Sequence, residues 1–118
     1  SSLMLALMAS GLNGQTFAFS GYIPAKTDER RQALKSLERR SASEHQTQIF
    51  IETPYRNDSL FADILNICQN STELCIAANI TMPDAFIRTK TIAEWKKFAA
   101  GKNEVIGKRP CVFLILGH

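Results

Sequence analysis

With 118 residues, the chain is one domain's worth and long enough to bury a core without disulfide or metal staples. Apolar residues at 45% and charged ones at 21% describe an ordinary globular protein, and a net charge of +3 tolerates a polyanionic partner without requiring one. The apolar opening, Leu3 to Ala9, falls far short of the roughly 20 residues that span a bilayer, so neither membrane insertion nor export is expected and the chain reads as a fragment.

Ser2 can cap a helix running to Ser10, with Gly11 where a left-handed residue closes it. Leu3, Met4, Leu5, Ala6, Leu7 and Met8 leave that helix no polar face, so it should be covered on every side. After the Asn13-Gly14 turn, Phe17, Phe19 and Tyr22 alternate with small residues in a strand that stops before Pro24. Thr27 then caps a helix with Asp28 and Glu29 in its first turn and Arg39 and Arg40 in its last, the order that the helix dipole favours. Ala33, Leu34 and Leu37 form its narrow apolar stripe, Arg30, Arg31, Lys35 and Arg39 its basic outer face, and Ser41 to Gln46 a polar loop.

The next stretch, Thr47 to Arg56, organises the rest. Ile49-Phe50-Ile51 suits a strand buried on both faces. Pro54 cannot donate to a ladder and disfavours helical angles at Thr53, so the strand ends there. Polar side chains at the carboxyl end of such a strand face the crevice where open α/β sheets bind ligands, which marks Glu52, Thr53, Tyr55 and Arg56 as the rim of a site.

Asn57 or Asp58 caps the next helix, whose Leu60, Phe61, Ile64, Leu65 and Cys68 make a broad core-facing stripe. Asn70-Ser71 closes it. Leu74 to Ile80 reads as a buried strand in which Ala77 and Ala78 leave the backbone approachable. Met82-Pro83-Asp84 turns the chain into an exposed or edge strand, Ala85 to Thr91. Thr91 caps a short helix through Trp95 and Phe98 ending at Gly101, and Cys111 to Leu116 forms the last strand. A helix followed by β-α-β-α-β-β-α-β predicts an α/β fold: a mixed, mostly parallel sheet of about five strands with helices on both faces.

Candidate chemistry is sparse. His45 lies in a polar loop and His118 at the end, so no nucleophile-His-acid set has a centre, and no phosphate-binding glycine loop is present. Cys68, Cys75 and Cys111 cannot all pair and sit at no metal-binding spacing, which points to free thiols in a reducing, cytoplasmic setting and to no metal site. Arg56, Arg88, Lys90, Lys96 and Lys97 could meet phosphates, or simply be solvated. Glu52 could contact a ligand, pair with a neighbouring arginine, or cap the helix at Asn57. These residues make half a site and name no catalytic group.

FAFSGYIP, ETPYR and RTKTIAEW, taken together, resemble the carboxyl-terminal half of the tetrapyrrole methylase superfamily, closest to the branch of ribosomal RNA small subunit methyltransferase I. In that branch a strand ends in a glutamate-serine-proline-histidine-arginine motif. Here it reads Glu52-Thr53-Pro54-Tyr55-Arg56, with Thr53 for the serine and Tyr55 for the histidine. Ser1-Ser2 and LMLALMASGL after it are similar to the helix that family carries beyond its proline-glycine-proline-serine linker.

The resemblance covers residues 1–118 and implies the second domain of a two-domain enzyme that transfers methyl groups from S-adenosylmethionine. It further implies an amino-terminal domain in the same chain, homodimerisation, no membrane, and a fragment inactive alone. By position, cofactor contacts would be Ser1, Ser2, Glu52, Thr53, Ala77, Ala78, Pro110, Cys111 and Val112, and substrate contacts Tyr55, Arg56, Arg88 and Lys90. The implied substrate is a cytidine ribose 2′-oxygen in small-subunit ribosomal RNA or, as elsewhere in the superfamily, a corrin or porphyrin precursor. A non-catalytic dimerisation module on the same fold is the reading from another class.

Overall fold

A computed structural model describes residues 2–118. Ser1, one of the expected cofactor contacts, lies outside the described residues. The elements are α1 (Ser2–Ser10), β1 (Phe17–Tyr22), α2 (Thr27–Glu44), β2 (Thr47–Ile51), a 3-10 turn at Pro54–Arg56, α3 (Asn57–Ile67), β3 (Glu73–Ala78), β4 (Phe86–Thr91), α4 (Ile92–Ala99) and β5 (Cys111–Leu116).

The strands form one sheet in the order β1-β2-β5-β3-β4. β1 and β2 are parallel, while β2–β5, β5–β3 and β3–β4 are antiparallel. The mixed five-stranded sheet is as expected, but "mostly parallel" needs correction. β1, β2 and β3 do run the same way, as their helical crossovers require. The last strand enters between β2 and β3 in the opposite sense, leaving a single parallel neighbour pair. The carboxyl ends of β1, β2 and β3 therefore meet the start of β5 at one end of the sheet.

The sheet separates two apolar layers. On one face Leu34 of α2, Leu60 and Ile64 of α3 and Trp95 of α4 pack on Phe50, Ile76 and Phe113. Trp95 is fully buried and its indole N–H donates to the Leu74 carbonyl at 2.7 Å, so its one polar atom is satisfied. On the other face α1 sets Ala6 and Leu7 against Cys75, Ala77, Val112 and Leu114. α1 is covered on that side alone: Leu5 and Met8 are exposed, as are Phe17, Phe19 and Tyr22 of β1. In register, Phe17, Phe19 and Tyr22 pair with Thr47, Ile49 and Ile51, which puts them on the α1 face.

Several local expectations change. α2 continues to Glu44, where a loop from Ser41 was expected, because Ser41 is buried and its hydroxyl accepts the Gly117 N–H at 2.8 Å. His45 ends it in the left-handed region, φ 49°. Neither Asn57 nor Asp58 caps α3. The Asp58 carboxylate instead accepts the N–H groups of Val105, Ile106 and Gly107, and the Asn57 amide donates to the carbonyls of Gly107 and Arg109. β3 stops at Ala78 because Asn79 turns the chain at φ 50°. Thr91 caps α4 as expected, and Glu94 completes a capping box.

Candidate functional site

The strand tips enclose an open cleft of about 360 Å³. Ile51, Glu52 and Pro54 come from the end of β2, Ala77, Asn79 and Ile80 from the end of β3, and Pro110, Cys111 and Val112 from the start of β5. Ser2, Tyr22 and Met82 complete it. The cleft thus gathers Ser2, Glu52, Ala77, Pro110, Cys111 and Val112 from the expected cofactor set. Thr53 stands beside it, and Ala78 turns to the opposite face of the sheet, in the layer with Trp95. Tyr22, Asn79, Ile80 and Met82 were not anticipated. Asn79 had a signal available, since asparagine just past a buried strand is a common left-handed residue.

Glu52 is the most constrained group at this end. Its side chain is 1% exposed and pairs with Arg30, 3% exposed, at 2.6 Å. Its other oxygen accepts the Thr53 N–H at 2.8 Å and lies 3.6 Å from the Arg56 guanidinium. Arg30 also reaches the Pro24 carbonyl, the Ser59 hydroxyl and Asp63, so one buried cation ties the segment after β1, α2, the residue following β2 and α3 together. Its assignment to the basic outer face of α2 is corrected: Arg30 precedes the buried Leu34 and Ser41 by four and eleven positions and shares their helical face. A buried carboxylate without such partners would be costly. Glu52 therefore holds the β2 tip in shape and has little capacity left for a ligand.

Tyr55 is exposed, with the Arg56 guanidinium 5.0 Å from its ring centroid and donating to its hydroxyl at 3.0 Å. Arg88 and Lys90, expected at the same rim, are not brought to the cleft. Arg88 is opposite Ile76 in the β3–β4 register, which places it on the face away from α1, and Lys90 lies over Trp95 and Phe98. The cleft lies at the strand tips, where Ala77 and Val112 of the other face line it.

All three cysteines are free and buried. Burial pushes the Cys111 thiol up to about 12, against a weaker opposing contact with the Ala77 backbone. Burial, reinforced by Glu38, pushes Cys68 up to about 12 as well, and burial raises Cys75. Cys111 therefore contributes a neutral surface to the cleft. Among the described residues, no cluster of His, Cys, Asp and Glu could hold a metal ion, and no helix is long and apolar enough to cross a membrane.

The fold defines a class. It superposes on the methyltransferase CobJ with a TM-score of 0.61 and 18% identity, covering 99% of this chain and 47% of that one. A cobalamin biosynthetic enzyme, the cobalt precorrin-4 methyltransferase CbiF, gives 0.60 and 14%, covering 98% of this chain and 48% of that one. At such identities the likeness establishes the fold of these enzymes.

Sequence narrows it further. The chain is 31% identical over 117 residues to the ribosomal RNA small subunit methyltransferase I of Pseudomonas aeruginosa, covering 98% of this chain and 39% of that protein. The proteins of the same name from Vibrio cholerae and Escherichia coli are each 31% identical, over 117 and 116 residues, covering 99% and 96% of this chain and 39% and 38% of theirs. No protein-family model matches. The chain is thus homologous, over nearly its whole length, to part of the ribosomal RNA small subunit methyltransferase I proteins, and the resemblance carried by FAFSGYIP, ETPYR and RTKTIAEW is borne out. It spans about 39% of the length of these relatives.

Proposed function

We propose that this chain is the carboxyl-terminal domain of an S-adenosylmethionine-dependent methyltransferase acting in the cytoplasm on a cytidine ribose 2′-oxygen of small-subunit ribosomal RNA. The observation that carries the reading is the cleft at the strand tips, open on one side, in a chain whose relatives are ribosomal RNA methyltransferases. Free buried thiols accord with a reducing compartment.

The cleft fits the cofactor as one wall of a two-walled site. Its volume lies within the roughly 300–1,000 Å³ typical of ligand pockets, and its lining is mainly apolar with a few polar groups. Ile51, Ala77, Ile80 and Val112 would hold the cofactor's flat parts, while Ser2, Asn79 and the main chain around Glu52, Thr53 and Pro110 would meet its polar ones. S-adenosylmethionine, when bound, supplies a sulfonium-activated methyl group. The chain's own part is to position and to keep water out, since an in-line displacement depends mainly on alignment. Glu52 and Arg30 act as positioning residues that fix the β2 tip, and Tyr55 with Arg56 would face the substrate. A ribose hydroxyl also needs a proton acceptor, which a further domain of the same longer chain would contribute.

The exposed apolar residues Leu5, Met8, Phe17, Phe19 and Tyr22 support a second surface seated on the α1 face, either that further domain or a second copy. The isolated chain is accordingly expected to be inactive.

Calorimetric titration of the full-length protein with S-adenosylmethionine, paired with methylation of undermethylated small ribosomal subunits, tests the reading. Ala77→Leu and Pro110→Gly should each weaken cofactor binding at least about tenfold, roughly what a lost or overfilled pocket contact costs. Lys35→Ala, on α2, should leave it unchanged. Absence of binding heat would favour the non-catalytic module, and methylation of a corrin precursor in place of ribosomal subunits would replace RNA by a tetrapyrrole.

A further inference from the structure

Positive charge is unevenly placed along the chain. Seven of its 14 Lys and Arg, but only three of its 11 acidic residues, lie between Asp84 and Arg109, giving that segment a net +4 against +3 for the whole. The remainder is therefore slightly acidic.

Within the segment, four cations are arrayed on one patch of touching rings. Phe86, Trp95 and Phe98 lie with centroids 5.4 to 6.4 Å apart. The Arg88 and Arg109 guanidinium groups sit 5.1 and 5.3 Å from the Phe86 ring, Lys90 sits 5.2 Å from Phe98 and 5.8 Å from Trp95, and Lys102 sits 4.5 Å from Phe98. Among the described residues none of the four is within 4.0 Å of a carboxylate, although Lys90 and Lys97 are close enough to Glu94 to help hold its carboxyl below the usual range. Lys96, Lys97 and Lys108 are exposed nearby in sequence.

The patch runs along β4, an edge strand, and reaches one lip of the cleft. Arg109 precedes Pro110, which lines the cleft, and donates to the Asp84 carbonyl in the β3–β4 turn. Trp95 is wholly buried, so the rings do not offer a base-stacking platform. They seat the cations, and cations held in place lose less freedom on meeting an anion.

Resting on the RNA methyltransferase reading, we propose that Arg88, Lys90 and Lys102, seated on Phe86, Trp95 and Phe98, form a docking strip for the RNA phosphate backbone flanking the target nucleotide, with Arg109, held by the Asp84, Val105 and Ile106 carbonyls, fixing its end at the cleft. Contact through phosphates makes the strip indifferent to base sequence and strongly dependent on salt.

The test uses the full-length protein, a fluorescein-labelled RNA stem-loop and anisotropy over a salt series. The triple variant Arg88→Gln, Lys90→Gln, Lys102→Gln should weaken RNA binding roughly 10- to 100-fold near physiological salt and reduce the slope of log K against log salt by about 2 to 3. Arg31→Gln, Lys35→Gln, Arg39→Gln, the same charge change on α2, should alter affinity less than about threefold, as expected if local contacts and not net charge matter. Cofactor binding by calorimetry should be unchanged in both. Equal losses in the two triples, or an unchanged slope in the first, would overturn the strip, as would a loss seen with vesicles of acidic lipid but not with RNA. Should the first triple melt early, the double variant Arg88→Gln, Lys102→Gln, both exposed members of the strip, must lower the slope in its place, and a slope equal to that of the α2 set would again overturn the strip. Failure of the unaltered protein to bind S-adenosylmethionine would remove the enzymatic reading while the RNA slope still judged the strip separately.

Discussion

At the tip of β2 the charges are folded inward, whereas along β4 they are laid outward over aromatic rings. Arg30 and Glu52 are almost wholly removed from water and use their hydrogen bonds on each other and on the backbone around them. Arg88 and Lys102, with the same formal charge as Arg30, have no carboxylate within 4.0 Å among the described residues and stay exposed. A buried pair sets shape, because neither member can be lost cheaply. An exposed cation contributes little to the fold and remains free to meet a partner.

The largest expected effect comes from breaking the inward pair. Arg30→Met leaves Glu52 buried beside only the half-exposed Arg56, and should cost about 3–5 kcal/mol in urea unfolding. Arg30→Met with Glu52→Met should recover most of that loss, since two apolar chains remove both charges. Arg88→Gln should change stability by less than about 0.5 kcal/mol, as surface substitutions usually do. A comparable cost at Arg30 and Arg88 would erase the distinction between the two regions.

Asp58 joins them. Its carboxylate accepts three N–H groups at 2.7 to 3.0 Å from residues 105 to 107, and the Arg109 guanidinium grips the Val105 and Ile106 carbonyls. Asp58→Ala would strand those donors and should cost about 2–3 kcal/mol, the scale for charge-assisted bonds left unmade. Faster amide exchange confined to residues 105–109 would be its local signature; exchange rising equally throughout would argue against a local anchor.

What the sequence carried depended on range. The β2 strand and its abrupt end were legible because Ile49-Phe50-Ile51 and Pro54 act on their immediate neighbours, and the Thr91 cap because its partner Glu94 is three residues away. The insertion of β5 between β2 and β3 was not, since a strand's apolar pattern carries no record of its partner or direction. Ser41 to Glu44 read as loop because the Gly117 contact that buries Ser41 lies 76 residues on. At the site, Glu52, Ala77 and Pro110 come together in one cleft because each stands at a strand end that the local pattern marks. Arg88 and Lys90 lie apart from it, because alternation along β4 shows that two faces exist without saying how far along the sheet the cleft reaches.

Cys111 extends the contrast, since its side chain is buried within the cleft wall. Although it lines the cleft, burial lifts its thiol from an ordinary 9.0 to about 12, so at pH 8 it should react with iodoacetamide far more slowly in the native chain than in urea. A thiol raised in the folded state stabilises fully below its unfolded value and loses that contribution as pH climbs through the folded one. For Cys111 and Cys68 the window runs from about 9 to about 12, and stability should decline across it. Alkylation of Cys111 at the unfolded rate would mean that its thiol is not shielded within the cleft wall.

The smallest effect belongs to the outward region. Hydrogen bonds from the Thr91 backbone and hydroxyl hold the Glu94 carboxyl below its ordinary 4.5, with a lesser contribution from Lys90 and Lys97. A carboxyl lowered by folding stabilises above its unfolded value and ceases to do so as pH falls through the folded one. Glu94→Gln should therefore be slightly less stable than the unaltered chain at pH 7, and the two should converge as pH falls below the ordinary carboxyl value and through the lowered one of the folded state. Because the hydrogen bonds to Thr91 dominate over the lysine charges, adding salt should leave most of the difference at pH 7 in place. A difference abolished by salt would instead make Lys90 the main partner of Glu94, and would mean that this cation is already neutralised within the chain.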